Sequence, residues 1–464
     1  MHPLLQHDKD SISELTTLTR DVALTFLNGL SELPPGRLES HNSNGSEAKE
    51  GIGAAQALEV FKAQWLPHLA ASAGPRYLGF VTGGATPASL IGDWITSTVD
   101  QNPQSNWDSE APELERETVK ALASWFNLNS HQGSFVTGAT MSNFVGLAIA
   151  REWVGELRSV KVSEDGIAAL GAVNIYSACA HSSVYKAASM LGFGRKAIKS
   201  VPVKPGREAI DVEALEAVLA KDHTQGCIVV ASLGTVNSGD FDDIVAIVNL
   251  KNKYNFWLHV DGAFGAFAAL DQRYASFTSG IDDADSVCID CHKWMNVPYD
   301  SALQFTRRRD LQVRVFQNAA AYLGEIGTNP NFVHLTPENS RRWRALAAWF
   351  AVTAYGRSGH ADIVVRNVDC ALKLGDLIES QLGEVCYLLA PVRLNVVLFT
   401  IRDHTDEASL MDLLYKLRAS GETFMTPTYF EGKWGMRAAF SNWQTSLDDV
   451  DRVFSALKSA VLTK

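Results

Sequence analysis

Charge is sparse in this chain: 20% of its 464 residues are charged, and the balance is −11. Phosphate backbones are bound by clustered Lys and Arg, so nucleic acid is not an expected partner and a small molecule fits better. No segment reaches the ~20 apolar residues that a membrane-spanning helix needs. The opening stretch MHPLLQHDKDSISE lacks the basic region followed by an apolar run that marks a secretory leader. The expectation is therefore a cytoplasmic protein with no membrane partner. Cysteine is scarce too. Cys179, Cys227, Cys288, Cys291, Cys370 and Cys386 lie scattered through apolar segments, which predicts reduced, buried thiols and no disulfide framework. Cys288 and Cys291 make a C-x-x-C, but no second pair or histidine pair completes a zinc site, and no metal is expected. There is no internal repeat and no Walker-type phosphate loop. GFGRKA at 192–197 has dinucleotide-fingerprint spacing, yet it follows a helical pattern and precedes a strand, the reverse of the required order.

What the chain has in quantity is apolar residues, 46%, enough for a large core and more than one unit. Residues 1–75 read as a helical N-terminal segment broken by the polar stretch ELPPGRLESHNSNGSEAKEGIG. Residues 76–356 alternate short apolar runs (GSFVTG, VNIYSA, GCIVVASL, FWLHV, SVCID) with longer stretches of helical period, the signature of an α/β unit with a mostly parallel central sheet. SRRWRALAAWFAVTAYG predicts one long connecting helix. Residues 357–464 mix helices with strands such as LNVVLFTI and GMRAAFSN and read as a small α+β C-terminal domain.

In FWLHVDGAFGAF an apolar strand ends on one carboxylate, Asp261. Ligands of parallel α/β sheets bind along the carboxyl edge of the strands, and four other polar groups follow their own predicted strands there: Thr137 to Asn143, His181, Thr235, and His292 with Lys293. Each has a plain alternative. Asp261 could cap a helix or join a salt bridge. VTGATMSN could be an ordinary strand-to-helix turn, although its free amides also suit a phosphate. His181 could be a cap or a core histidine, and His259, on the same strand face as Asp261, reads as structural. Lys293 could be a solvated charge, whereas desolvation among Trp294, Met295, Val297 and Pro298 would lower its proton affinity and make it a nucleophile. Together, a phosphate cradle, an acid, a stacking histidine and an amine are the parts that hold pyridoxal phosphate.

GATMSN, HSSV, ASLGT, WLHVDGAFG and HKWMNVPYD, in this order, resemble the group II pyridoxal-phosphate-dependent decarboxylases of aromatic amino acids, histidine and glutamate, over roughly residues 75–360. The resemblance implies a fold type I, transferase-like large domain. It implies that Lys293 forms a Schiff base with pyridoxal 5'-phosphate, that Asp261 pairs with the pyridine nitrogen, and that His181 stacks on the ring, the three forming the catalytic set. Ala263 leaves room at the other ring face. Gly138, Ala139, Thr140, Thr235 and His292 complete the cofactor contacts, and Phe80, Thr82, Tyr299, Phe332 and Arg437 fall at substrate positions, Arg437 facing a substrate carboxylate. The implied activity is α-decarboxylation of an L-amino acid, aromatic or apolar, through a quinonoid intermediate, in a homodimer with the active site at the interface.

Two positions depart from the family pattern. Asp290 stands where many members have a phosphate-binding asparagine. Phe332 stands where the family has the tyrosine that protonates Cα, which leaves His334 or Tyr322 as proton sources and opens an aldehyde-forming outcome. Aldol cleavage or transamination, and a catalytically dead binding protein of the same fold, are the remaining alternatives.

Overall fold

The computed structural model describes residues 1–38, 50–222, 225–318, 326–403 and 406–462. The large sheet holds β1 (Gln132–Val136), β2 (Ile175–Ser177), β3 (Ile198–Ser200), β4 (Cys227–Ser232), β5 (Phe256–Asp261), β6 (Ser286–Asp290) and β7 (Ala302–Thr306), in the order β1-β7-β6-β5-β4-β2-β3. β3, β2, β4, β5 and β6 are parallel, and β7 runs against both β6 and β1. Six strands therefore share one direction. Strands covered by helices on both faces read as unbroken apolar runs, and β4 and β5 are buried along their whole length. The α/β reading with a mostly parallel sheet holds. β3 is the short strand expected after GFGRKA, whereas β7 has no counterpart in the sequence reading, and its run gives no clue to its direction.

A second sheet holds β8 (Cys386–Leu388), β9 (Val396–Ile401), β10 (Thr426–Phe430) and β11 (Lys433–Ala439), antiparallel throughout in the order β10-β11-β9-β8. Between the sheets runs a helix from Arg344 to Leu382, interrupted at Gly356, whose φ of +59° and ψ of −173° are non-helical. It is longer than the sequence pattern predicts, because apolar residues continue past the glycine. Ile363, Val364 and Val368 pack into the core of the large sheet, and Cys370, Ala371, Leu374 and Ile378 into that of the small one. One helix thus serves both cores. The N-terminal helices Pro3–Asp10, Ile12–Asn28 and Ala54–Gln64 contain no buried residue. Among the described residues no helix is long and apolar enough to cross a membrane.

Beneath the site edge the sheet is tied to its surroundings by a buried ion pair. Glu115, on the helix Ala111–Trp125, takes both guanidinium nitrogens of Arg341, at 3.1 and 2.9 Å, and the amide of Phe135 in β1 at 3.1 Å. Arg341 also donates to the Phe135 carbonyl. Both side chains are essentially inaccessible. Removing one partner would strand a buried charge, so Glu115→Ala is expected to cost about 3–5 kcal/mol, read as a lowered midpoint in urea unfolding.

Candidate active site

Asp261 is the last residue of β5, level with Ser232 of β4 and Cys288 of β6. It is 7% exposed. Its Oδ2 accepts from Asn143 Nδ2 at 3.0 Å and its Oδ1 from the Ala263 amide at 3.2 Å. Both donors are neutral, and among the described residues Asp261 makes no ion pair. A buried carboxylate answered only by neutral dipoles favours a cation placed against it.

Around this acid lies a cleft lined by Ala139, His181, Asp261, Ala263, Lys293 and Arg437. Phe80 and Thr235 line it as well. Eight residues singled out in the sequence are thus brought to one place from the loops after β1, β2, β4, β5 and β6, from β11, and from the segment before the helix Pro87–Val99. Lys293 Nζ lies 3.8 Å from Asp290 Oδ2 and 5.8 Å from the centre of the Phe264 ring. Gly83 lets the Phe80 segment reach this lysine: a Cβ at residue 83 would stand 1.7 Å from the Lys293 carbonyl oxygen. Phe80 and Val81 both adopt φ of +59°, a region costly for side chains with a Cβ, at the mouth of the cleft.

His181 caps the helix Ser182–Met190. Its Nδ1 accepts from the Ser183 amide at 3.2 Å and lies 2.8 Å from Ser183 Oγ. A backbone amide can only donate, so Nδ1 is bare and the neutral ring carries its proton on Nε2. Burial lowers the pKa of His181, Asp261 opposes this, and Lys293 and Arg437 add to it. Arg437 donates to the Val236 carbonyl and, at 3.2 Å, to Thr426 Oγ1, while its buried Nε has no partner. Burial lowers its pKa against the pull of Glu208.

Other expected contacts are placed differently or already committed. Gly138 is the N-cap of the helix Ala139–Leu157, close to His292: a Cβ there would lie 3.2 Å from His292 Cε1. Thr140, in the first helical turn, is exposed and outside the cleft lining. Thr235 gives its hydroxyl proton to Glu208 Oε2 at 2.5 Å and accepts from the Asp240 amide at 3.0 Å, so that hydroxyl is already committed within the protein. Thr82 Oγ1 lies 3.2 Å from Tyr299 Oη, and the Tyr299 ring sits 4.4 Å from that of His292. Phe332 is not brought to the cleft. It is buried between the guanidinium groups of Arg116 and Arg341, 5.2 and 5.0 Å from its ring centre. His334 is buried beside it, its Nδ1 accepting from the Asn318 amide at 3.1 Å, and is also outside the lining. Tyr322 lies outside the described residues. Asp290 is not turned away from the helix start: its Oδ2 accepts from the Ala139 amide at 3.3 Å, and its Oδ1 lies 3.1 Å from His292 Nε2.

Pyridoxal phosphate fits the residues present. The cation-deficient pocket at Asp261 suits a protonated pyridine nitrogen. The small side chains of Ala139 and Ala263 leave space beside it. A primary amine projects into the same cleft. The amides of Thr140 and Met141, at the helix start, have no acceptor among the described residues.

Asn143 and His259 carry more of the site than the sequence indicated. Asn143, fully buried, also donates to Ser183 Oγ at 3.0 Å, and its Oδ1 faces His259 Nε2 at 2.9 Å. His259 Nδ1 meets Ser286 Oγ at 2.8 Å, and Ser286 Oγ accepts from Trp257 Nε1 at 2.9 Å. No local pattern signals these contacts, since their members are far apart in the chain. Burial pushes the pKa of His259 down to about 4 from the ordinary 6.5, with Asp261 opposing. The unfolded chain then binds a proton that the folded one refuses, so stability rises with pH through this window and is lost as pH falls from about 6.5 toward 4. Urea unfolding at pH 7 and pH 4.5 checks it: the difference in midpoint should shrink in His259→Gln.

The pyridoxal-dependent decarboxylase conserved domain matches residues 56–402. Aromatic-L-amino-acid decarboxylase of Bacillus atrophaeus is 27% identical over 405 residues, 83% of this chain and 81% of that protein. L-2,4-diaminobutyrate decarboxylase of Acinetobacter baumannii is 29% identical over 359 residues, 72% of this chain and 69% of that one. The crystal structure of Oryza sativa TDC with PLP and tryptamine superposes with a TM-score of 0.89 at 20% identity, covering 97% of this chain and 98% of that one. The chain belongs to the pyridoxal-dependent decarboxylase family.

Proposed function

We propose that this protein removes the α-carboxylate of an aromatic L-amino acid, with Lys293, Asp261, His181 and Arg437 as its working groups. The observation that carries the reading is their convergence on one cleft. Lys293 holds the cofactor covalently through Nζ. Asp261 keeps a proton at the cofactor's ring nitrogen, and His181 covers the ring as a neutral imidazole. When bound, pyridoxal phosphate supplies an electron sink for the pair left on Cα as CO2 departs. At the other end of the cofactor, Gly138 and Thr140 offer backbone amides at the helix start, the Ala139 amide being given to Asp290, and His292 stands beside them.

Arg437, which lines the cleft from β11, orients the substrate carboxylate. With Phe332 and His334 away from the cleft, Lys293 Nζ and His181 Nε2 are the groups among its described lining that can return a proton to Cα. The rest of the lining sets the substrate class. Among the described residues Arg437 and Lys293 are its cations and Asp261 its carboxylate, and each already has a role, so these residues leave no partner for a second substrate carboxylate or a second amine. Phe80, Val81 and Phe264 offer apolar contact instead. Thr82 and Tyr299, bonded to each other, stand beyond this lining on the side of His292. The name of the Bacillus atrophaeus relative supports an aromatic substrate.

The assembly is a homodimer in the cytoplasm. The N-terminal helices expose Leu5, Ile12, Leu18 and Leu24, and the helix Pro87–Val99 exposes Ile91, Trp94 and Ile95. A second copy covering these faces removes apolar surface from water, and six unpaired thiols suit a reducing compartment.

The test is to purify the protein, look for a yellow, borohydride-sensitive chromophore, and measure CO2 from tryptophan, tyrosine, phenylalanine, glutamate and 2,4-diaminobutyrate by mass spectrometry. Release from an aromatic substrate is expected, and none from any amino acid would overturn the reading. Lys293→Ala should lose the borohydride-sensitive chromophore and at least about 10³-fold in rate. Arg437→Gln should raise KM about 10- to 100-fold by removing a charge-assisted hydrogen bond. Sedimentation should give about twice the 50.6 kDa chain mass.

A further inference from the structure

We propose that Asn143 is a positioning residue that couples Asp261 to His181 and holds both in the form the cofactor needs. The inference rests on the role of Asp261 proposed above, and its argument is one of hydrogen-bond direction. Asn143 Nδ2 lies 3.0 Å from Asp261 Oδ2 and 3.0 Å from Ser183 Oγ, and Oδ1 lies 2.9 Å from His259 Nε2. An ionised carboxylate only accepts, so the amide nitrogen must face Asp261 and the amide oxygen must face His259. His259 Nε2 is then a donor. In the neutral ring its Nδ1 is bare and takes the hydroxyl proton of Ser286, whose oxygen is in turn held by the indole N–H of Trp257.

On the other branch, Ser183 Oγ accepts from Asn143 and is free to give its proton to His181 Nδ1, 2.8 Å away. The chain of donors therefore has one direction, from Trp257 through Ser286 and His259 to Asn143. There it forks, to the carboxylate and, through Ser183, to the histidine at the cleft. Every group in it is neutral except its acceptor, Asp261. A flipped amide would set oxygen against carboxylate, so the charge on Asp261 fixes the orientation of Asn143. Asn143 in return supplies one of the two donors that hold the carboxylate ionised.

The roles separate in holoenzyme of the full chain, comparing wild type, Asn143→Leu, Asn143→Asp and Asp261→Asn. Two quantities are read: the dissociation constant of pyridoxal phosphate by equilibrium dialysis, and the pH midpoint of the bound cofactor's visible absorption band. Asn143→Leu should bind the cofactor about ten- to a hundredfold more weakly, the equivalent of one hydrogen bond to a charged group. It should also move the absorption midpoint in the same direction as Asp261→Asn. A merely structural asparagine would leave that midpoint in place. Asn143→Asp keeps the shape of the side chain while replacing the donor by an acceptor. Its carboxyl group competes with Asp261 for protons, so the midpoint should leave the wild-type value, and this variant decides the matter if Asn143→Leu does not fold. Midpoints and affinities at wild-type values in the Asn143 variants, with Asp261→Asn shifted, would overturn this inference alone. An Asp261→Asn protein unchanged in both would overturn the underlying reading of Asp261 and this inference with it.

Discussion

One buried carboxylate organises this molecule's working edge. Asp261 ends a strand that is inaccessible along its whole length, and two neutral hydrogen bonds are all that the described residues offer it. Such a group is expensive in isolation, and its neighbourhood is arranged around the cost. Ala263 turns its amide back toward the acid, Asn143 reaches across from the helix after β1, and His259, two residues upstream on the same strand face, is kept neutral. What the described residues leave without a direct partner there is negative charge, which a protonated ring nitrogen would answer. The affinity of the site for its cofactor and the polarity of its hydrogen bonds thus have a common origin.

The two departures from the family pattern sit in surroundings that account for them. Asp290 replaces a neutral amide, but it is flanked by His292 Nε2 at 3.1 Å and Lys293 Nζ at 3.8 Å and takes the Ala139 amide at the positive end of a helix. Those groups offset its charge locally, and they make it part of the frame that aims the lysine. Phe332 occupies no catalytic place in this arrangement. It is wedged between Arg116 and Arg341, and Arg341 belongs to the buried pair with Glu115. There the aromatic face works as packing for two guanidinium groups.

The site draws on both cores. Arg437 comes from β11 of the small sheet, while the lysine, acid and histidine come from the large one, and the helix Arg344–Leu382 packs against both. The relation between Arg437 and the lysine, acid and histidine is therefore set by how the two sheets are held together. The apolar N-terminal helices, without a buried residue in this chain, take no part in that support.

Sequence alone determined the class of fold and the chemistry. Apolar runs of strand length alternating with helical stretches pointed to a mostly parallel sheet buried on both faces, and an acid and a lysine following two of those runs fall at its carboxyl edge, although β7 shows that such a run does not fix strand direction. Tertiary structure decided the rest. That Thr235 spends its hydroxyl on Glu208, that Thr140 points to solvent and Phe332 into the core, and that Asn143 joins an acid 118 positions away depend on where side chains from distant segments come to rest. Hydrogen-bond direction and burial are properties of neighbours in space. A pattern along the chain carries them only when those neighbours are also close in sequence.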